Sequence, residues 1–194
     1  FNRVSLTSCT FSGTNLEGAD LRNLALERVD FSETYLNDAK FDGTNPERAR
    51  FDRAEMEDVS VHETTFEHSS FVNADFKQTD DLADATFTDC DMRDVDLPRA
   101  DLSSTMLIDT RFGDSDLRGA NFSDSSYSGL EFTGANLKGA SFNEATVESA
   151  RFVDANLSGA QFERAQLDGA VFNGAKADKA IFTEANLERA SFSQ

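Results

Sequence analysis

The chain has 194 residues, with 36 Asp and Glu against 18 Lys and Arg, a formal net charge of −18 and 39% hydrophobic residues. That apolar fraction separates it from disordered acidic chains, and no apolar run reaches the roughly 20 residues of a membrane-spanning helix. So acidic a surface repels phosphates and excludes nucleic acid as a direct partner, but it suits a protein that fills a basic groove; acid excess with only 5 Lys against 13 Arg is also how salt-adapted surfaces look.

A large apolar residue recurs from the first position onward: Phe1, Leu6, Phe11, Leu16, Leu21, Leu26, Phe31, and every fifth residue to Phe76. The series resumes at Leu82 and continues through Phe87, Met92 and Leu97 to Phe192, so one extra residue falls within 77–81. Sixteen units precede that break and twenty-three follow it, thirty-nine in all, and Pro46 and Ala177 are the departures. The residue two before each centre is small: Cys9, Thr14, Ala19 and Ala39 early on, then unbroken alanine from Ala135 to Ala190. Phe1 already lies in register and is not Met, so the expectation is one domain over 1–194, cut from a longer chain.

A step of five residues turns an α-helix by about 500°, roughly 140° past a full turn, and smears the apolar positions around the cylinder. Strand alternation fails as well, because the inward positions lie two and then three apart. The spacing suits a short extended piece with two side chains facing one way, then a corner; repeated, that piece makes a coiled solenoid. Glycine recurs at the last position of a unit, as in Gly119, Gly134, Gly139 and Gly159, where a corner relieves itself through a residue without Cβ.

The units "ANLKG", "ANLSG", "GADLR", "ANLER" and "GANFS" resemble those of the pentapeptide-repeat proteins, and the resemblance runs the length of the chain. It implies an all-β fold, a right-handed quadrilateral parallel β-helix of about ten coils with four pentapeptides to a coil. The columns agree: Phe11, Phe31, Phe51, Phe71, Met92 and Phe112 follow one another at that interval, beside Leu16, Leu36, Met56, Phe76, Leu97 and Leu117. A two-sided coil would alternate Phe and Leu in the same way, so the columns support four sides without excluding two. At about 4.8 Å per coil the rod is on the order of 45–50 Å long, with stacked rings inside. Its open ends invite pairing with another chain, so end-to-end self-association is expected.

Candidate chemistry is sparse. Cys9 and Cys90 share a column four coils apart, roughly 19 Å, too far for a disulfide; they read as buried reduced thiols, which favours a cytoplasmic location. His62 and His68 point outward and do not make a zinc site. No nucleophile elbow, phosphate loop or dinucleotide fingerprint occurs, so no catalytic, cofactor or metal site is expected and the chain does not read as an enzyme. The run "DDLADATFTDCDMRDVDL" is the most acidic stretch, matches no calcium-loop pattern, and places successive units on different sides of the square. The candidate partner-binding residues are Asp81, Asp84, Asp89, Asp91, Asp94, Asp96, Asp101 and Asp109. By side, with the inserted residue left out, the one carrying Leu82, Leu102 and Phe122 holds 10 acids and 4 bases, and the one carrying Phe87, Leu107 and Leu167 holds 8 and 3; the other two hold 8 and 5, and 9 and 6. The reading is a non-catalytic acidic scaffold for a partner protein. The resemblance implies an alternative, a DNA mimic that binds a type II topoisomerase (gyrase or topoisomerase IV) and gives fluoroquinolone resistance. Two departures stand against it: those members dimerise through a C-terminal helix, whereas this chain ends within a repeat, and they carry a projecting loop where this chain has one inserted residue.

Overall fold

The computed structural model describes residues 4–79 and 82–193. Each pentapeptide forms one side of a square coil, and each coil pairs in parallel with the next. Bridged partners lie twenty residues apart, as in Thr10 with Asp30, Asp30 with Arg50 and Asn136 with Asn156. Across the interval 77–81 the offset becomes twenty-one, as in Ser70 with Asp91 and Asp75 with Asp96, and it then returns to twenty. The columns therefore stay in phase on either side of that interval. Asp80 and Asp81 themselves lie outside the described residues.

We number the sides in chain order. Face 1 carries the centres Leu21, Phe41, Leu82 and Leu102; face 2, Leu26, Phe66, Phe87 and Leu107; face 3, Phe31, Phe51, Met92 and Phe112; face 4, Leu36, Met56, Leu97 and Leu117. Three strands are long enough to name, all on face 2: β1 (Thr65–Glu67), β2 (Thr86–Thr88) and β3 (Met106–Ile108). They form a parallel sheet in the order β1-β2-β3, with Phe66, Phe87 and Leu107 in register. No helix occurs among the described residues.

Corners explain the period. In most units the N–H three residues past a centre donates to that centre's carbonyl, as from Ala135 to Phe132 (3.0 Å) and from Ala140 to Leu137 (3.0 Å). The residue two past the centre then takes a positive φ, the geometry of a type II turn. Glycine meets this at no cost at Gly134 (φ +72°), yet Glu63 (+53°), Arg99 (+66°) and Asp109 (+48°) adopt it too. The recurring corner thus overrides residue preference, because the ladder bonds of the coils above and below fix it.

The interior is filled from opposite walls. Centres on face 3 stack coil on coil, Phe132 on Phe152 at 5.2 Å and Phe152 on Phe172 at 4.9 Å. Face 1 does the same with Phe122 on Phe142 at 4.6 Å and Phe142 on Phe162 at 4.9 Å. Across the axis the two stacks meet edge to face, as Phe142 and Phe152 do at 5.6 Å and 89°. The small inward position takes alanine where rings crowd it. At several others it takes Thr or Ser, whose hydroxyl donates to a corner carbonyl of the preceding coil: Thr64 Oγ1 to Phe41 O (2.9 Å), Thr110 Oγ1 to Phe87 O (3.0 Å) and Ser115 Oγ to Met92 O (2.8 Å). At Phe87 and Met92 the hydroxyl supplies the bond that the N–H three residues on does not make, whereas Phe41 O also accepts from Thr44 N (3.0 Å). The expectation of two buried thiols holds for Cys90, fully buried, but Cys9 is only partly covered in the first described coil.

Candidate functional site

Among the described residues the two buried groups with raised pKa stay protonated. Burial pushes the Cys90 thiol up to about 12, with hydrogen bonds to backbone acting against that rise, so it stays protonated. Burial likewise pushes the Tyr127 phenol up to about 12, and its hydroxyl donates to Leu102 O at 2.6 Å. Two depressions of about 560 Å³ lie open on the outer wall, one bordered by Lys77, Arg99 and Arg118, the other by Leu24, Asn45 and Glu67. Among the described residues no group of three or more His, Cys, Asp or Glu could hold a metal ion. Nor does any helix there suffice to cross a membrane by length and apolarity.

The acidic candidates are spread around the coil. Asp84 stands at the corner between faces 1 and 2, and Asp89 and Asp109 at the corner between faces 2 and 3. Asp91 lies on face 3, Asp94 at the corner after it, Asp96 on face 4 and Asp101 on face 1. Asp81 is outside the described residues. The structure therefore brings Asp84, Asp89 and Asp109 to the borders of one face and separates the others from them.

Their electrostatics divide the same way. Asp91 is spoken for: Arg93 lies 2.7 Å away and Arg111 3.5 Å. Burial alone would raise its carboxyl, but the Arg93 hydrogen bond, with the charges of Arg111 and Arg93, outweighs that and holds it below the usual carboxylate range. Asp96 shares Lys77 with Asp75, at 3.0 and 2.7 Å, and the hydrogen bonds to Asp75 and then Asp96 hold the Lys77 ammonium above its ordinary range. Asp101 accepts from Ser103 Oγ (2.7 Å) and Asn121 Nδ2 (3.0 Å). Asp89 has His68 Nδ1 at 3.4 Å. The carboxylates of Asp84, Asp94 and Asp109 make no hydrogen bond or ion pair with the described residues. The Asp109 carboxylate lies directly over Gly129 of the next coil, in space that a Cβ would need. Asp114 over Gly134 and Asp154 over Gly174 repeat that arrangement at the corner after face 3.

The density of acids along the chain does not show which of them are already neutralised. The spacing carries the signal: Arg93 lies two positions after Asp91, and an outward Asp with Arg two later forms the same pair at Asp20–Arg22 and Asp116–Arg118.

A family model described as "Pentapeptide repeats (8 copies)" matches residues 1–38, 30–67 and 155–194, and one described as "Pentapeptide repeat region" matches 59–142. No curated protein matches the sequence significantly. Among solved structures, HetL, a pentapeptide repeat protein involved in heterocyst differentiation regulation from the cyanobacterium Nostoc sp. strain PCC 7120, is 22% identical; the match covers 98% of this chain and 90% of that one, with a TM-score of 0.47. Full-length QnrB1, a plasmid-mediated fluoroquinolone resistance protein, is 15% identical over 98% of this chain and 94% of its own, with a TM-score of 0.40. Rfr23, a pentapeptide repeat protein from the cyanobacterium Cyanothece 51142, is 16% identical over 95% and 88%, with a TM-score of 0.18. None of these likenesses carries a function to this chain.

Proposed function

Because the chain belongs to the pentapeptide-repeat family, we propose that it is a non-catalytic acidic scaffold that works by binding a partner protein along its outer wall. The observation behind this reading is that the interior is wholly occupied by its own side chains: Phe122, Phe132, Phe142 and Phe152 are each 0% exposed. Every group free to meet another molecule stands outside, on a surface whose formal charge is −18. Long regular solenoid walls serve recognition well, since the fold fixes side chains in columns before any partner arrives. Affinity capture from the source cells is the test. One partner recovered near 1:1, and lost when Asp84, Asp89, Asp109 and Asp124 are changed together to Lys, supports the scaffold; recovery of no stoichiometric partner overturns it.

One observation favours a second reading, occupation of a groove built for nucleic acid. Through the coils from Asp84 to Asp124, acids stand on all four sides, as they do around a duplex. On this reading the partner is a type II topoisomerase. Titration into a gyrase supercoiling assay decides it: inhibition and protection from a quinolone at micromolar protein support the mimic, and neither effect removes it.

A further inference from the structure

Face 2 differs from the other three in a way that acid counts alone conceal. Its outward column before each centre, from Ala25 through Asn45, Thr65, Thr86 and Met106 to Ser126, holds no charged residue, and the column stays uncharged to Asn186. The corresponding columns carry Asp20 and Lys40 on face 1, Asp30 and Arg50 on face 3, and Glu55 and Asp75 on face 4. Face 2 is also where β1, β2 and β3 lie. The strands extend there because at Phe66, Phe87 and Leu107 the N–H three residues on does not fold back onto the centre's carbonyl, while the ladder bonds common to the other faces remain, such as His68 N to Thr88 O (2.9 Å) and Asp89 N to Ile108 O (3.0 Å). The outcome is a flat panel about 10 Å wide, three residues of extended chain. Met106 projects from it, 54% exposed, beside half-buried Ile108.

The borders of this panel are acidic on both sides. Glu63, Asp84 and Asp124 stand along one edge, Asp89 and Asp109 along the other, all exposed. No Lys or Arg occurs in the four segments that build it, 63–69, 84–90, 104–110 and 124–130. From Thr86 to Ser128 the centre is neutral and partly apolar, with exposed Glu67 closing it at the β1 end and the other charges on the rim; burying that neutral stretch desolvates no ion, the pattern of a docking surface.

We propose that this panel binds a basic amphipathic helix of a partner protein, laid along the rod axis with its apolar stripe on Met106 and Ile108 and Lys or Arg reaching both acidic borders. The proposal rests on the scaffold reading and names its contact face. A helix is the occupant because the panel has no open edge to which a strand could add: its backbone groups are used between coils. The width fits as well, a helix being about 10–12 Å across. Charge complements it on both flanks at once, which a partner basic on one side alone does not match.

The probe is a synthetic amide-capped peptide of about 14 residues, with leucines at helical three- and four-residue spacing flanked by lysines, titrated into the full chain and followed by backbone amide shifts and calorimetry. Shifts confined to 65, 86, 88, 106, 108 and their neighbours are expected. Met106→Asp is expected to weaken binding at least about tenfold although it makes the protein more acidic. Tyr35→Asp, the same kind of change at an exposed aromatic on opposite face 4, is expected to leave affinity within about twofold. Shifts spread over all four faces, or binding unchanged or tightened by Met106→Asp, would mean charge condensation alone and overturn the proposal. A captured partner that survives Met106→Asp would sink this panel and leave the scaffold standing, whereas absence of any captured partner would sink the scaffold whatever the peptide does.

Discussion

At the scale of single residues, the fold asks one unusual thing of its sequence, a left-handed backbone at almost every corner. Among the described residues, twenty-six non-glycine side chains occupy that region, so the chain carries a distributed strain that the stack outweighs. A left-handed L-residue costs about 1–2 kcal/mol, less the extra unfolded-state freedom of glycine. Glu63 makes no hydrogen bond or ion pair with the described residues, so its substitution isolates the backbone term. Glu63→Gly is expected to hold or gain up to about 1 kcal/mol, and Glu63→Val to lose about 1–2 kcal/mol because branching aggravates the clash. Urea unfolding of the two variants measures this; equal stability would show that the corner is not strained. Glycine's recurrence made the corner legible in the sequence. That Arg, Glu and Asp bend the same way was not, because their conformation is imposed by neighbouring coils and not by their own preferences.

At the scale of the element, one pentapeptide has almost no stability of its own. It gains a ladder above and below and one ring in a continuous stack. Phe142 stacks between Phe122 and Phe162 and meets Phe132 and Phe152 by its edges. Phe142→Ala should therefore cost about 3–5 kcal/mol, while Phe192→Ala, at a ring 59% exposed, should cost far less. Denaturant midpoints with unchanged slope test the contrast, and a loss below about 1 kcal/mol at Phe142 would contradict the packing described. The inward positions were legible because a period of five leaves no other solution. The edge-to-face meeting of faces 1 and 3 was not, since it depends on which columns stand opposite each other across the axis.

At the scale of the whole molecule, charge repulsion opposes the stack along its length. Surface ion pairs such as Arg53–Glu33 (3.1 Å) and Arg164–Glu144 (3.0 Å) bridge neighbouring coils, but 36 acids face 18 bases. Exposed pairs contribute about 0–1 kcal/mol each and weaken with salt, while the excess carboxylates repel one another and are relieved by it. The second effect should win. The melting temperature is expected to rise between low salt and about 0.5 M sodium chloride, by about 2–4 °C for each kcal/mol of repulsion screened. A fall would mean that the ion pairs dominate. Unfolding on dilution into low salt would mark a salt-adapted surface. The candidate site was legible in part. Density of acids along the chain pointed to the middle of the rod, but sequence distance is not surface distance in a square coil, where residues five apart stand on different walls and residues twenty apart touch. The repeat alone therefore determined the inward columns, the small positions and the place of the inserted residue, because each follows from steric periodicity along one chain. Which carboxylates are neutralised by an arginine, which remain free, and which of them border the uncharged panel on face 2 were decided by the stacking of coils, because electrostatics and exposure depend on neighbours that the order of residues does not place side by side.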